Sequence, residues 1–228
     1  MRVLGIETST GVEGVAVVEG ERLLGEWTLS LPQSHSVRLL PSIDGLLKSL
    51  GMRIADVEGV AVSIGPGSFT GLRIGLSTAK GLCLSLGKPL VGVPTLQALA
   101  LPFSPSPYLL CPLIDARRGE LFFSLYQGLG KGLKELLPPQ VLPPEEVLRR
   151  VREEEVILVG DGALLHKEFF MKELGPKAHF PPPPFHHPRA SAVAFLGLSR
   201  LREGQEDDLL TLTPLYGRPS DAELKFSP

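Results

Sequence analysis

Two stretches of the 228-residue chain repeat one order of features. VLGIETSTGVEGVAVVEGE, from Val3, and YLLCPLIDARRGELFFSLYQG, from Tyr108, each run as apolar strand, acidic residue, glycine-containing turn, second strand and hairpin. Farther on, VEGVAVSIGPGS and EEVILVGDGALL each run as strand, glycine turn and helix. Two matches in the same order predict an internal duplication, a three-stranded meander followed by α/β crossovers, made twice.

In the first half the meander strands are Val3–Ile6, Val15–Val18 and Leu23–Leu29. Leu39, Leu40, Ile43, Leu46, Leu47 and Leu50 recur at helical spacing and Gly51 follows as a stop, which predicts a helix over His35–Leu50 with Pro41 near its first turn. Val57–Ile64 reads as a buried strand and Phe69–Leu86 as a helix stopped by Gly87 and Pro89. Leu90–Val93 is a short strand and Pro94–Leu101 a short helix. PFSPSP at Pro102–Pro107 is the linker candidate, dividing the chain into domains 1–101 and 102–228. The second half then gives strands at Tyr108–Ile114, Glu120–Gln127, after GLGKG, and at Val156–Val159. Its helices are Pro144–Val151, Gly162–Leu174 and Ser191–Arg202, with a proline loop at 181–188 and an irregular tail. The layout is that of an α/β, actin-like duplicated fold of two domains, each a mixed β-sheet flanked by helices.

Bulk properties narrow the function classes. A net charge of −2 and a pI near 6.2 provide no basic field, which argues against tight autonomous nucleic-acid binding. No apolar run approaches the eighteen or so residues of a membrane helix, and MRVLGIETST lacks the features of a secretory leader. The expectation is a cytoplasmic protein without membrane association. Cys83 and Cys111 lie in apolar surroundings and are expected to be reduced, buried and inert.

SIGPGSFTGLRIG, Ser63–Gly75, holds four glycines in thirteen residues. A strand, a glycine turn and a helix N-terminus can bind an anion, so Gly65, Gly67, Ser68 and Thr70 form a candidate anion or turn site. No Lys-Ser/Thr follows at P-loop spacing, and tight-turn geometry with close helix packing is the competing reading. Over Phe69–Leu86 only Arg73 and Lys80 are charged, while Gly71, Gly75, Ala79 and Cys83 recur four apart. A helix apolar nearly all round is buried nearly all round, and interior glycines need a reason such as close backbone approach. The expectation is that this helix and His35–Leu50 form a helix-bundle interface with a partner chain through Leu39, Leu40, Ile43, Leu47, Gly71, Leu72, Gly75, Ala79 and Leu82.

Other chemistry-bearing residues are sparse. Glu7 and Asp115 end matching strands, where a carboxylate either caps a turn or holds a metal or water. His35 stands at a helix start. His186 and His187 are adjacent, so they point opposite ways in extended chain and do not share an ion. His166 and His179 have no partner at ligand spacing, and no catalytic triad stands out.

IETST, HSVRLLPSID, GPGSFTGLRIG followed by AKGL, GVPTLQALA, IDARRGE and PLYGRPSDAE occur in this order across almost the whole chain. In these motifs the sequence resembles the TsaB (YeaZ) family. The resemblance implies the actin-like (ASKHA, ribonuclease H-like) fold and a part in forming N6-threonylcarbamoyladenosine at position 37 of tRNAs that read codons starting with A. It implies a non-catalytic paralogue that scaffolds and activates TsaD, with TsaE as an ATPase partner and a homodimer when alone. Pairing would run through the helices His35–Leu50 and Phe69–Leu86. Transfer RNA would be reached through the complex, with Arg73, Arg117 and Arg118 as candidate contacts. No catalytic residue, metal or cofactor of its own is implied, ATP/ADP and Mg being used by partner subunits. TsaD-like enzymes carry a His-x-x-x-His metal motif where this chain reads Pro94, Thr95, Leu96, Gln97, Ala98. The alternatives are an ATP-dependent phosphotransferase, which needs ATP binding by the isolated chain and a catalytic aspartate in the cleft, Glu7 standing where ATP-using actin-like proteins commonly have Asp, and a metallopeptidase, which needs those histidines.

Overall fold

A computed structural model describes residues 1–30, 35–130 and 132–217, with the side chain of His35 left aside. The end of the tail motif, from Arg218 on, lies outside the described residues. The chain forms two compact units. One contains residues 1–98 and 189–215; the other contains 99–188 with Tyr216 and Gly217.

In the first unit β1 (Arg2–Glu7), β2 (Glu13–Glu19) and β3 (Arg22–Leu29) form the antiparallel meander. β4 (Gly59–Gly65) lies parallel to β1, and β5 (Leu90–Pro94) parallel to β4, giving the order β3-β2-β1-β4-β5. In the second unit β6 (Leu109–Arg117), β7 (Glu120–Leu129), β8 (Gly132–Leu142), β9 (Val156–Val159) and β10 (Ala178–His179) take the order β10-β9-β6-β7-β8. Read from the other edge this is the same arrangement, and the same pairs are parallel. The duplication seen in the strand patterns is therefore a duplication of topology.

Strand alternation in the first sheet sends Leu4 and Ile6 to one face and Gly5 to the other. On the first face Leu4, Ile6, Val15 and Val17 pack with Leu39, Ile43, Leu46 and Leu47 of α1 (His35–Ser49) and with Leu76, Ala79 and Cys83 of α2 (Phe69–Leu86). Pro41 is the seventh residue of α1, on its exposed side. After β5 comes the short α3 (Thr95–Ala100). The second unit builds its core from β6, β7 and β9 with α4 (Pro144–Val151), α5 (Asp161–Leu165) and α6 (Lys167–Leu174). The single helix expected over Gly162–Leu174 is two helices that meet at His166, whose backbone leaves the helical region.

The expected domain division placed all of 102–228 together. Instead α7 (Ala190–Arg202) returns to the first unit and covers the second face of its sheet. Small residues make this possible. A Cβ on Gly5 would lie 2.2 Å from the Ala190 carbonyl oxygen, and one on Gly197 would lie 2.3 Å from the Ala61 Cβ. The half-buried Glu26 of β3 caps α7: its Oε1 accepts the Ser191 N–H and hydroxyl, both at 2.9 Å, and Oε2 lies 3.5 Å from Arg189 Nε. At the sheet's other side Arg200 donates to the Gly92 carbonyl (2.8 Å), and Asp207 accepts the Gly92 N–H (2.8 Å). Together they shield the β5 edge from strand addition. A sheet buried on both faces needs helices on both sides, but strand patterning does not say which part of the chain supplies the second layer.

Both cysteines are free and buried. Burial pushes the Cys83 thiol up to about 12 and the Cys111 thiol higher still. Thiolate is the reactive form, so the native protein is expected to leave a disulfide-exchange reagent unreacted at pH 8, both thiols reacting once guanidinium unfolds the chain. Glu26→Ala removes the α7 cap and is expected to cost about 1–2 kcal/mol, read as a lower midpoint in denaturation followed by the single tryptophan, Trp27.

Candidate partner interface

The glycine turn answers to the chain itself. Ser68 caps α2: its hydroxyl accepts the Gly71 N–H (3.3 Å) and its carbonyl the Leu72 N–H (2.9 Å). The Ser68 N–H donates to the Ser9 carbonyl (2.7 Å), and the Thr8 hydroxyl donates to the Gly71 carbonyl (2.8 Å). A Cβ on Gly67 would sit 2.2 Å from the Ser9 carbonyl oxygen, and one on Gly71 2.0 Å from that of Thr8. Gly65 (φ +114°) admits the Leu215 carbonyl in the same way, and the Leu215 N–H donates to Ile64 O at 2.6 Å. The glycines are thus required by backbone-to-backbone approach within the first unit.

This geometry takes up one donor of the candidate anion site. Of Gly65, Gly67, Ser68 and Thr70, the first two are filled positions of that contact and the Ser68 N–H is engaged; Thr70 is exposed. In the β1–β2 turn the Ser9 N–H (2.6 Å) and hydroxyl both donate to Glu7 Oε1, within a fully buried network. The Glu7 carboxylate thus already occupies both Ser9 donors of this turn.

The nine expected interface residues separate into two groups. Gly71, Leu72, Gly75 and Ala79 are buried against the chain's own β1 turn and sheet, and a Cβ on Gly75 would meet the Thr8 hydroxyl at 2.2 Å. Leu39 is buried in the core as well. The small-residue face of α2 therefore receives the β1–β2 turn, not another helix, because that is the side on which the turn's carbonyls lie. Leu40, Ile43, Leu47 and Leu82 are brought together instead, lining a cleft of about 510 Å³ whose other walls are Asp44, Lys48, Met52, Arg53 and Ile54. Leu40 is 57% exposed. Ile43 and Leu47 form the cleft floor, while Leu82 is partly buried against the core.

Sequence reasoning missed Val37 (70% exposed), one turn before Leu40, and Leu84 (78% exposed) on the outer stripe of α2 with Arg73, Ser77 and Gly81. It also missed Met52 and Ile54, which follow α1 and face the cleft. The exposed apolar positions were signalled by the surplus of leucine over one buried stripe. Which positions were surplus depended on how α2 is rotated, and the Thr8–Gly71 contact sets that rotation. Arg73 lies over the Phe69 ring at 3.9 Å.

In the second unit, Asp115 Oδ1 accepts the Arg117 N–H (2.8 Å), and its own N–H donates to Asp161 Oδ1 (3.1 Å). It is a turn-holding acid. Arg117 and Arg118 have φ of +66° and +57°, a region that costs about 1–2 kcal/mol per residue other than glycine. The buried His186 accepts the Gly160 N–H at Nδ1 (3.1 Å) and donates from Nε2 to the Pro181 carbonyl (2.8 Å), tying the proline loop to the β9–α5 turn. His179 stacks on Tyr108 with ring centroids 4.2 Å apart and faces Glu155 at 3.3 Å. Among the described residues no group of three or more His, Cys, Asp or Glu could hold a metal ion, and no helix is long and apolar enough to cross a membrane.

Comparison with known proteins places these features in a family. The family model TsaD, tRNA N6-adenosine threonylcarbamoyltransferase, matches residues 30–226. The tRNA threonylcarbamoyladenosine biosynthesis protein TsaB of Bacillus subtilis is 34% identical over 228 residues, 99% of this chain and 98% of that protein. The structure of YeaZ from Pseudomonas aeruginosa superposes with a TM-score of 0.81 at 26% identity, covering 94% of this chain and 99% of that one. The ROK hexokinase of Thermus thermophilus shares the fold alone, with a TM-score of 0.53 at 13% identity over 90% of this chain and 100% of that one.

A matched pair of substitutions tests the rotation of α2. Gly71→Ala drives a methyl into the Thr8 carbonyl and is expected to destabilise the protein by about 1–3 kcal/mol. A Cβ on Gly81 meets nothing within 4 Å, so Gly81→Ala is expected to stabilise by up to about 1 kcal/mol. Urea denaturation of the two variants reads both signs.

Proposed function

We propose, for a chain that belongs to the TsaB branch of the TsaD family, that it is the non-catalytic scaffold and activator subunit of the complex that forms N6-threonylcarbamoyladenosine in tRNA. The observation that carries this reading is the apolar cleft beside α1 and α2, edged by the exposed Leu40. A surface of this kind suits a helix of a related subunit, since apolar side chains that a monomer leaves in water gain by burial against a second apolar face. The partner is the TsaD-like catalytic paralogue, and a second copy of this chain takes the same face when the paralogue is absent. A TsaE-like ATPase completes the complex in the cytoplasm. ATP and Mg are used by the partner subunits and not by this chain.

The geometry of the first unit supports the non-catalytic part. The Glu7 carboxylate is turned into its own hairpin, and in the glycine turn the Ser68 and Gly71 N–H groups are engaged by Ser9 and Ser68. Both facts speak against the phosphotransferase alternative. The metallopeptidase alternative needs imidazole ligands, and the α3 segment has none.

Reconstitution tests the proposal. With the catalytic paralogue, threonylcarbamoyl-adenylate and tRNA, modified adenosine is expected to form at a rate that depends on this chain; equal modification without it defeats the activator role. Leu40→Arg places a charge at the cleft edge without entering the core. It is expected to weaken co-elution with the paralogue by more than about 30-fold, equivalent to about 2 kcal/mol, with the thermal midpoint of the isolated chain unchanged. By contrast Ala79→Arg would bury an unpaired charge and unfold the first unit, so it cannot report on docking.

A further inference from the structure

The hairpin between β6 and β7 is built against local preference. Arg117 pairs with Glu120, leaving Arg118 and Gly119 as a two-residue loop. Such loops need positive φ at both central positions, which Asn-Gly or Gly-Gly supplies at least cost. Here φ is +57° at Arg118 and +77° at Gly119, and Arg117 before them is also left-handed at +66°. The register slips between Asp115 and Arg117, so a bulge immediately precedes the turn. Elsewhere in the fold the chain solves the same problem with glycine: Gly20 between β2 and β3, and Gly130 between β7 and β8, carry the positive φ. Among the described residues, Arg117 and Arg118 are the non-glycine residues in this region.

Burial does not impose the choice. The Arg117 side chain is 83% exposed and Arg118 is exposed too. The strain is held from below, by Asp115 Oδ1 on the Arg117 N–H and Asp161 Oδ1 on the Asp115 N–H. Asp115 Oδ2 also lies 3.3 Å from Arg117 Nη1, and a guanidinium has five N–H donors, more than one carboxylate oxygen takes up. Backbone strain kept at an exposed site marks a function for the side chains that bear it.

We propose that this turn is an RNA phosphate contact, presenting the guanidinium groups of Arg117 and Arg118 to the sugar-phosphate backbone of tRNA held in the complex. The inference rests on the tRNA-modification reading above. Guanidinium is planar, permanently charged and able to bind phosphate with two parallel hydrogen bonds. The chain's net charge of −2 makes the contact local. Contacts of this type orient a nucleic acid without reading its sequence.

The test uses the complex of this chain with its catalytic paralogue and a fluorescent, unmodified tRNA that reads a codon starting with A. The double variant Arg117→Asn/Arg118→Asn creates an Asn-Gly turn and relieves the strain. It is expected to raise the melting temperature of the isolated chain while weakening tRNA binding about tenfold near 100 mM salt. The plot of log affinity against log salt is expected to become shallower by about 0.7–0.9 for each arginine. Arg117→Lys/Arg118→Lys keeps the charges and is expected to retain most of that slope. An unchanged affinity and slope overturns the proposal, as does a lowered melting temperature, which would make the arginines structural. Weaker association of the two protein chains with tRNA binding unaltered also overturns it, by assigning the turn to a protein contact. Failure of the wild-type complex to modify tRNA sinks the underlying reading; an active wild type with an indistinguishable Asn variant sinks this inference alone.

Discussion

The carbonyl oxygens of Thr8 and Ser9 occupy the space that side chains at 71 and 67 would fill, and the outer surface of the first unit follows from that contact. It locks the end of β1 to the start of α2, with the Ser68 N–H and the Thr8 hydroxyl as its two hydrogen bonds. With this turn of α2 fixed, helical periodicity fixes the rest. Gly75, Ala79 and Cys83 go inward, Ile74 and Leu82 pack partly buried on the core, and Arg73, Ser77, Gly81 and Leu84 go to solvent. The cleft beside α1 and α2 is a consequence of an interior contact.

The two units share a strand order but have diverged at equivalent turns. In the first, the acid that ends β1 folds back on Ser9, and its hairpin is absorbed into the packing of α2. In the second, the acid that ends β6 holds a strained, exposed pair of arginines. A duplicated fold lets equivalent turns diverge in this way, because each sheet is stabilised by its own core.

Much of the fold was readable from pattern. The meander strands and both long helices of the first half lie within a residue or two of the expected ranges, since apolar period and glycine stops report local structure directly. The burial of α2 was readable too, from the scarcity of charge along it. Its inward face was misassigned: small residues announce a close approach without naming what approaches, and the β1–β2 turn and a partner helix ask the same of glycine. His186 had no readable role because its partners, Gly160 and Pro181, are backbone groups that leave no trace in residue type.

The sequence by itself determined the duplicated strand order, the helices that flank the sheets and the family, because these rest on periodicity and on motifs contiguous along the chain. Only the tertiary structure decided that α7 crosses back to the first sheet under the Glu26 cap, that the glycine turn is closed by Thr8 and Ser9, and that the arginines of the β6–β7 hairpin are left-handed. Each of these depends on a backbone conformation or on an approach between residues distant in the chain, and composition and spacing encode neither.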